Sequence, residues 1–191
     1  MKRKTARTTT VTVGLLYLVL CLQTSVYAQD ARLTNIIVTN TQEDLLLYLT
    51  VEGAFTDKMQ KAILSGLPAS FSFFVELYKP RSFWINKKIS DIRVIHTIKY
   101  NTLKKEFQVT RSWENNKPII TESFEEAKRV MSEVDSLKII PLTSLARGHQ
   151  YQIRAKAELS KLTLPFYLHY VLFFVSFWDF ETDWYTIDFI Y

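Results

Sequence analysis

The stretch Phe71-Ser72-Phe73-Phe74-Val75-Glu76-Leu77-Tyr78 alternates along its length, with Phe71, Phe73, Val75 and Leu77 on one side and Ser72, Phe74, Glu76 and Tyr78 on the other. Successive side chains of an extended chain point to opposite faces, so the pattern predicts a strand with one buried face. Gln150 to Leu159 repeats the design, setting Tyr151, Ile153, Ala155 and Ala157 against Gln152, Arg154, Lys156 and Glu158. Half-buried strands of this kind belong to antiparallel sheets.

Around these two, further β-favouring runs span Arg32 to Thr39, Leu45 to Val51, Ile92 to Tyr100, Phe107 to Trp113, Ile119 to Thr121 and Leu137 to Pro141. The polar residues 40–44 suit a hairpin loop, and Glu114-Asn115-Asn116-Lys117-Pro118 suits a turn. Two short helices interrupt the strands. Thr56-Asp57 opens the first, whose apolar residues are Met59, Ala62 and Ile63 and which Gly66 and Pro68 stop. Ser123 opens the second, with Glu126 three residues on as in a capping box, and the helix is predicted to run to about Asp135. The expected fold is α+β: a predominantly antiparallel, sandwich-like domain with two or three short helices.

Lys2, Arg3, Lys4 and Arg7 precede an apolar run from Val11 to Leu22, and Val26-Tyr27-Ala28 offers small or modest side chains where a signal peptidase would cut. The run is too short for a bilayer-spanning helix, and the order is that of a cleavable leader over residues 1–28. Residues 29–191 then form one exported domain, since no Gly, Ser or Pro-rich linker divides them and no repeat recurs. Cys21, the one cysteine, falls in the leader, so the domain is held by its core without disulfides. Of 24 basic residues four lie in the leader, and of 19 acidic residues none does. The exported part is thus close to neutral, and its charge argues against a nucleic-acid partner.

Leu162 to Trp178 is a second apolar stretch. Crossing a bilayer from an exported side would set Lys156 and Lys161 outside and Asp179, Glu181 and Asp183 inside, against the positive-inside tendency. The reading favoured is a core element, and membrane contact through this stretch is the alternative. Trp184 to Tyr191 alternates Tyr185, Ile187, Phe189 and Tyr191 and reads as a last core strand.

Three clusters taken together carry a family resemblance. They are Gly66-Leu67-Pro68 with Phe71-Ser72-Phe73 and the run from Glu76 to Trp84; Tyr100 to Leu103 with Phe107-Gln108-Val109; and Trp178 to Trp184. In this order and spacing they resemble the exported bacterial proteins grouped as domain of unknown function 4390, over Ala31 to about Tyr185. The resemblance implies a Gram-negative periplasmic protein without established activity, in some relatives encoded beside a membrane sensor kinase. It supplies no catalytic residues.

Read as chemistry, the residues give few starting points. Asp179, Glu181 and Asp183 would share one face of a strand and could serve a carboxylate-dependent hydrolase or a carbohydrate-acting enzyme. His96, His149 and His169 have no zinc spacing, and four glycines cannot build a phosphate loop, so no metal and no cofactor is expected. Lys79, Arg81 and Trp84 combine charge and a large ring in an expected loop, the composition of a binding hot spot. The function expected is therefore a non-enzymatic module recognising a protein of the cell envelope. The aromatic excess also admits an apolar-ligand carrier.

Overall fold

A computed structural model of the chain describes residues 31–81, 86–115, 117–159 and 180–191. The expected leader and Leu162 to Trp178 lie outside the described residues. Strands β1 (Arg32–Asn40), β2 (Asp44–Glu52) and β7 (Glu133–Pro141) form one antiparallel sheet in the order β1-β2-β7. Strands β3 (Ala69–Lys79), β4 (Lys87–Asn101), β5 (Glu106–Arg111), β6 (Ile119–Thr121), β8 (Gln150–Leu159) and β9 (Tyr185–Ile190) form a second, in the order β6-β5-β4-β3-β8-β9. Helices α1 (Asp57–Leu64) and α2 (Phe124–Ser132) complete the predominantly antiparallel α+β domain.

The alternation that announced β3 and β8 places Phe71, Phe73, Val75 and Leu77 beside Ala157, Ala155 and Ile153 on one buried face. Leu45, Leu47, Leu49 and Val51 of β2 and Val134, Leu137 and Ile139 of β7 join them in a single core cluster. The Ser90 hydroxyl of β4 donates to the Ile139 carbonyl of β7 at 3.1 Å, tying one sheet to the other. A chain of rings crosses one end of the core, from Phe180 to Phe71 (4.8 Å), Phe55 (5.2 Å), Phe124 (6.1 Å), Phe107 (5.3 Å) and Tyr100 (4.6 Å). With no disulfide to constrain it, the domain depends on this burial, at roughly 1.5 to 3 kcal/mol for each large apolar side chain.

The smaller sheet is bent by bulges on both sides of β2. Register slips between Thr34 and Ile37 of β1 and between the β7 residues opposite Leu47 and Leu49. Asn35 and Ser136 take up the extra residue, each with φ of 51°. A bulge raises the local twist, and these two fall at one level of β2.

The two helices end differently. Thr56 caps α1 by accepting from the Met59 N–H at 3.3 Å. At its other end Gly66, with φ of 88°, donates to the Ile63 carbonyl and Leu67 donates to the Ala62 carbonyl, the paired closure that a left-handed residue permits. Ser123 caps α2 by accepting from Glu126 N–H at 3.3 Å, but the Glu126 carboxylate accepts from Thr121 Oγ1 at 2.6 Å, and Thr121 in turn accepts from Ser123 N–H. The return half of the expected capping box is thus relayed through Thr121.

Helix α2 stops at Ser132, three residues before the expected Asp135, because Glu133 already pairs with Thr50 and Val134 with Leu49. Strand follows helix without a loop, so the last carbonyls of α2 have no turn to close on. Side chains from the larger sheet reach them instead. Arg111 donates to the Val130 carbonyl through Nε (3.3 Å) and Nη2 (3.0 Å), and His96 Nδ1 donates to the Met131 carbonyl at 2.8 Å. Two further strand limits differ from expectation. Strand β4 starts at Lys87 because its pairing with β3 continues to Lys79, and β5 ends at Arg111, leaving Trp113 to pack on the His96 ring at 4.6 Å.

His96 is wholly buried between the Phe73 and Trp113 rings, and its Nε2 has no hydrogen-bond partner among the described residues. Burial lowers its pKa to about 3, the Arg111 charge acting in the same direction and the bond to Met131 opposing both. The folded state therefore excludes a proton that the unfolded chain takes up below pH 6.5. Stability from this group is complete above pH 6.5 and is lost toward pH 3, at about 1.4 kcal/mol per pH unit. Urea unfolding of wild type and His96→Gln should show their difference shrinking by that slope as pH falls, because the carboxylates titrate alike in both. A difference independent of pH would show that His96 does not carry this term.

Candidate functional site

The face of the larger sheet turned away from the core brings together residues that are far apart in sequence. Register aligns Arg93 of β4 with Phe74 of β3, Phe74 with Lys156 of β8, and Arg154 with Thr186 of β9. The Arg93 guanidinium lies 5.1 Å from the Phe74 ring centre, Lys156 Nζ 5.2 Å from Phe74 and 5.3 Å from Trp184, and the Arg154 guanidinium 4.8 Å from Trp184. Cations and rings thus alternate from β4 to the start of β9: Arg93, Phe74, Lys156, Trp184, Arg154. Each contact lies within the roughly 6 Å over which a ring face attracts a cation.

Their charges are balanced unequally. Lys156 pairs with Glu181 at 2.7 Å and Glu158 at 3.5 Å, and the Glu181 hydrogen bond leads in raising its pKa. Lower on the same face Lys88 binds Glu76 at 2.5 Å and Asp91 at 2.9 Å while the Tyr78 hydroxyl donates to Glu76. Burial pushes the Glu76 carboxyl up, and the bonds from Lys88 and Tyr78 outweigh it to hold the group below its usual value. That second cluster is closed on itself. Arg93 donates to Ser72 Oγ at 3.0 Å, and neither Arg93 nor Arg154 has a carboxylate within ion-pair distance among the described residues.

The residues singled out from sequence fall at two ends of this sheet. Lys79 closes β3, with Nζ 5.9 Å from the Tyr151 ring on the core side; Arg81 is exposed just beyond; Trp84 lies outside the described residues. Glu181 bridges backbone-to-backbone with Glu158, which is opposite Ser72, so seven residues of β3, about 23 Å at ~3.3 Å per residue, separate the two groups. Asp183 is exposed, and Asp179 lies outside the described residues. Among the described residues no three His, Cys, Asp or Glu side chains come together as a metal site requires. An open hollow of about 630 Å³ is lined by residues including Asn40, Leu142, Arg147 and Tyr191, away from all of these groups. No helix of the described residues is long and apolar enough to cross a membrane.

Comparison of the sequence with protein families matches the model "Domain of unknown function (DUF4390)" over residues 28–188. The chain belongs to the DUF4390 family. No curated protein and no solved structure matches it. The match spans both sheets of this DUF4390 domain and its cation–aromatic face, and the family description assigns no reaction to either.

The residue between the two described acids is the structural one. Thr182 is buried, its Oγ1 accepts from Ala157 N–H at 3.0 Å, and its own N–H donates to the Ala157 carbonyl at 2.9 Å. Its position in Glu181-Thr182-Asp183 was the available signal, since alternation sends it inward when the acids face out. In this DUF4390 domain Thr182→Val should therefore cost about 1 to 3 kcal/mol by stranding a buried N–H. Lys156→Gln, which removes partly exposed ion pairs, should cost less than about 1 kcal/mol. Denaturant midpoints of the two variants check that ranking, and equal losses would contradict it.

Proposed function

We propose that this chain is a non-enzymatic module exported to the periplasm of a Gram-negative bacterium, where the outer face of its larger sheet recognises another protein of the cell envelope. The observation that carries the reading is the pair of arginines, Arg93 and Arg154, stacked on Phe74 and Trp184 without carboxylate partners among the described residues. Arginines and large rings are the side chains in which interface energy concentrates. Here the rings hold the guanidinium groups in place before a partner arrives, which lowers the entropy lost on binding. Their unspent N–H donors select for carboxylates, which a guanidinium binds in a two-point fork. Arg81, exposed just beyond the end of β3, would extend the contact.

The basic leader followed by an apolar run supports export. The family resemblance supports the outer portion of a membrane sensor as the class of partner. Glu181 is held by Lys156, and this neutralising pair on an exposed face gives the hydrolase alternative no specific support.

Protein recovered from periplasmic extract should begin at Gln29 by mass spectrometry, whereas recovery from the cytoplasm with residues 1–28 retained would count against export. Tagged chain should capture a membrane protein from envelope extract, and Arg93→Glu or Phe74→Ala should weaken that capture at least about tenfold, ~1.4 kcal/mol. Lys58→Glu, an exposed change on α1 away from this face, should leave it unaltered. Capture that survives both face variants, or no capture by the wild type, would overturn the recognition role.

A further inference from the structure

An open sheet edge presents unpaired backbone groups to any other strand, and stable proteins blunt such edges with bulges, prolines, lysines or brevity. Among the described residues this domain has four edge strands, and three are blunted. Strand β1 carries the Asn35 bulge, β7 carries the Ser136 bulge with Lys138 and Pro141, and β6 is three residues long and follows Pro118. Strand β9 has only the single charge of Asp188, whose carboxylate accepts from Gln152 of β8 at 3.0 Å. It pairs with β8 in unbroken register from Gln150↔Ile190 to Ala155↔Tyr185, and it contains no proline, lysine or bulge. Tyr185 and Ile190 are 48% and 77% exposed, and Trp184 at its start is 36% exposed.

We infer that β9 is the seam along which two copies of this chain join, antiparallel, into one continuous sheet. The Tyr191 N–H donates to the His149 carbonyl at 3.1 Å in the same register as the rest of the pair. By the alternation of an antiparallel ladder, Tyr185, Ile187 and Phe189 then turn their backbone groups toward β8, and Thr186, Asp188 and Ile190 turn theirs to the open edge. A second β9 must pair with those groups and keep its side chains on matching faces. Two such registers use the whole strand, one centred on Ile187 and one on Asp188.

Charge decides between them. Centring on Asp188 sets two carboxylates directly opposite, which is destabilising. Centring on Ile187 sets Thr186 opposite the partner's Asp188, Tyr185 opposite the partner's Phe189, and Trp184 opposite the partner's Ile190. Arg154 lies beside Thr186, so the partner's Asp188 is two strand spacings away, roughly 10 Å between Cα atoms and within reach of an Arg–Asp pair. Arg154, which has no carboxylate in its own chain among the described residues, thereby gains one, twice over by symmetry, and Arg93 remains the arginine open on the recognition face. A six-residue seam is small beside the ~1,600 Å² of a standard interface, so the association is of the weak, reversible class.

Sedimentation of the purified full chain over rising concentration tests the seam. The wild type should pass from monomer to dimer, and Thr186→Pro, which deletes an edge N–H, should raise the dissociation constant at least about tenfold. Arg154→Asp and Asp188→Lys should each weaken the dimer, and the double variant should restore it to within about threefold of wild type. Circular dichroism confirms the fold of each variant; should Thr186→Pro not fold, the charge exchange decides alone. A chain monomeric at the highest concentration, or a dimer indifferent to these changes, overturns the inference. Arg93→Glu, three strands from the seam, should leave dimerisation intact, so failure of the seam is distinguishable from failure of the recognition face.

Discussion

Arg111 and His96 finishing the last turn of α2 is the contact on which the rest of the domain depends. A helix that runs into a strand with no loop cannot close its own carbonyls, and burying them unpaired would cost about 1 to 3 kcal/mol each. Because those donors come from β4 and β5, satisfying the helix also fixes where α2 lies against the larger sheet. The strand that leaves it, β7, is then aimed at β2 and assembles the smaller sheet. The Arg111 cation is further favoured at the negative end of the helix dipole, and its pairing with Glu114 at 3.2 Å keeps it from being an isolated buried charge. His96 contributes as a neutral ring, which is why burial beside a cation is tolerated.

Much of the fold was legible because the strands of the larger sheet are buried on one face only. Phe71 to Tyr78 and Gln150 to Leu159 alternate in sequence as they do in the structure, since nothing but the pleat decides which side chains go inward. The end of α2 was not legible. Ser132, Glu133 and Val134 contain no glycine or proline, and what ends the helix is the pairing of Glu133 and Val134 with Thr50 and Leu49, eighty-odd residues away in the chain. The bulges were hidden for the same reason, because Asn35 and Ser136 adopt positive φ to suit partners on β2.

The candidate face was hidden more completely. Phe74, Arg93, Arg154, Lys156 and Trp184 belong to four separate segments, and each taken alone reads as an ordinary outward residue of a half-buried strand. Only the order β4-β3-β8-β9 makes them neighbours. Local grouping drew attention instead to Lys79 with Arg81 and to Glu181 with Asp183, where the structure spends Lys79 on a ring and Glu181 on a lysine.

The end of β8 also fixes the side of the sheet on which the candidate face is built. Leu159 N–H donates to the Phe180 carbonyl at 2.9 Å, Phe180 packs on Phe71 at 4.8 Å, and Thr182 holds the Ala157 N–H and carbonyl through its Oγ1 and its own N–H. Glu181 bridges with Glu158 whereas Tyr185 lies opposite Ala155, so one extra residue is taken up between them. Alternation alone would put Trp184 on the same side as Thr182. The extra residue lets Thr182 face the core while Trp184 stands over Lys156 and Arg154 on the outer face.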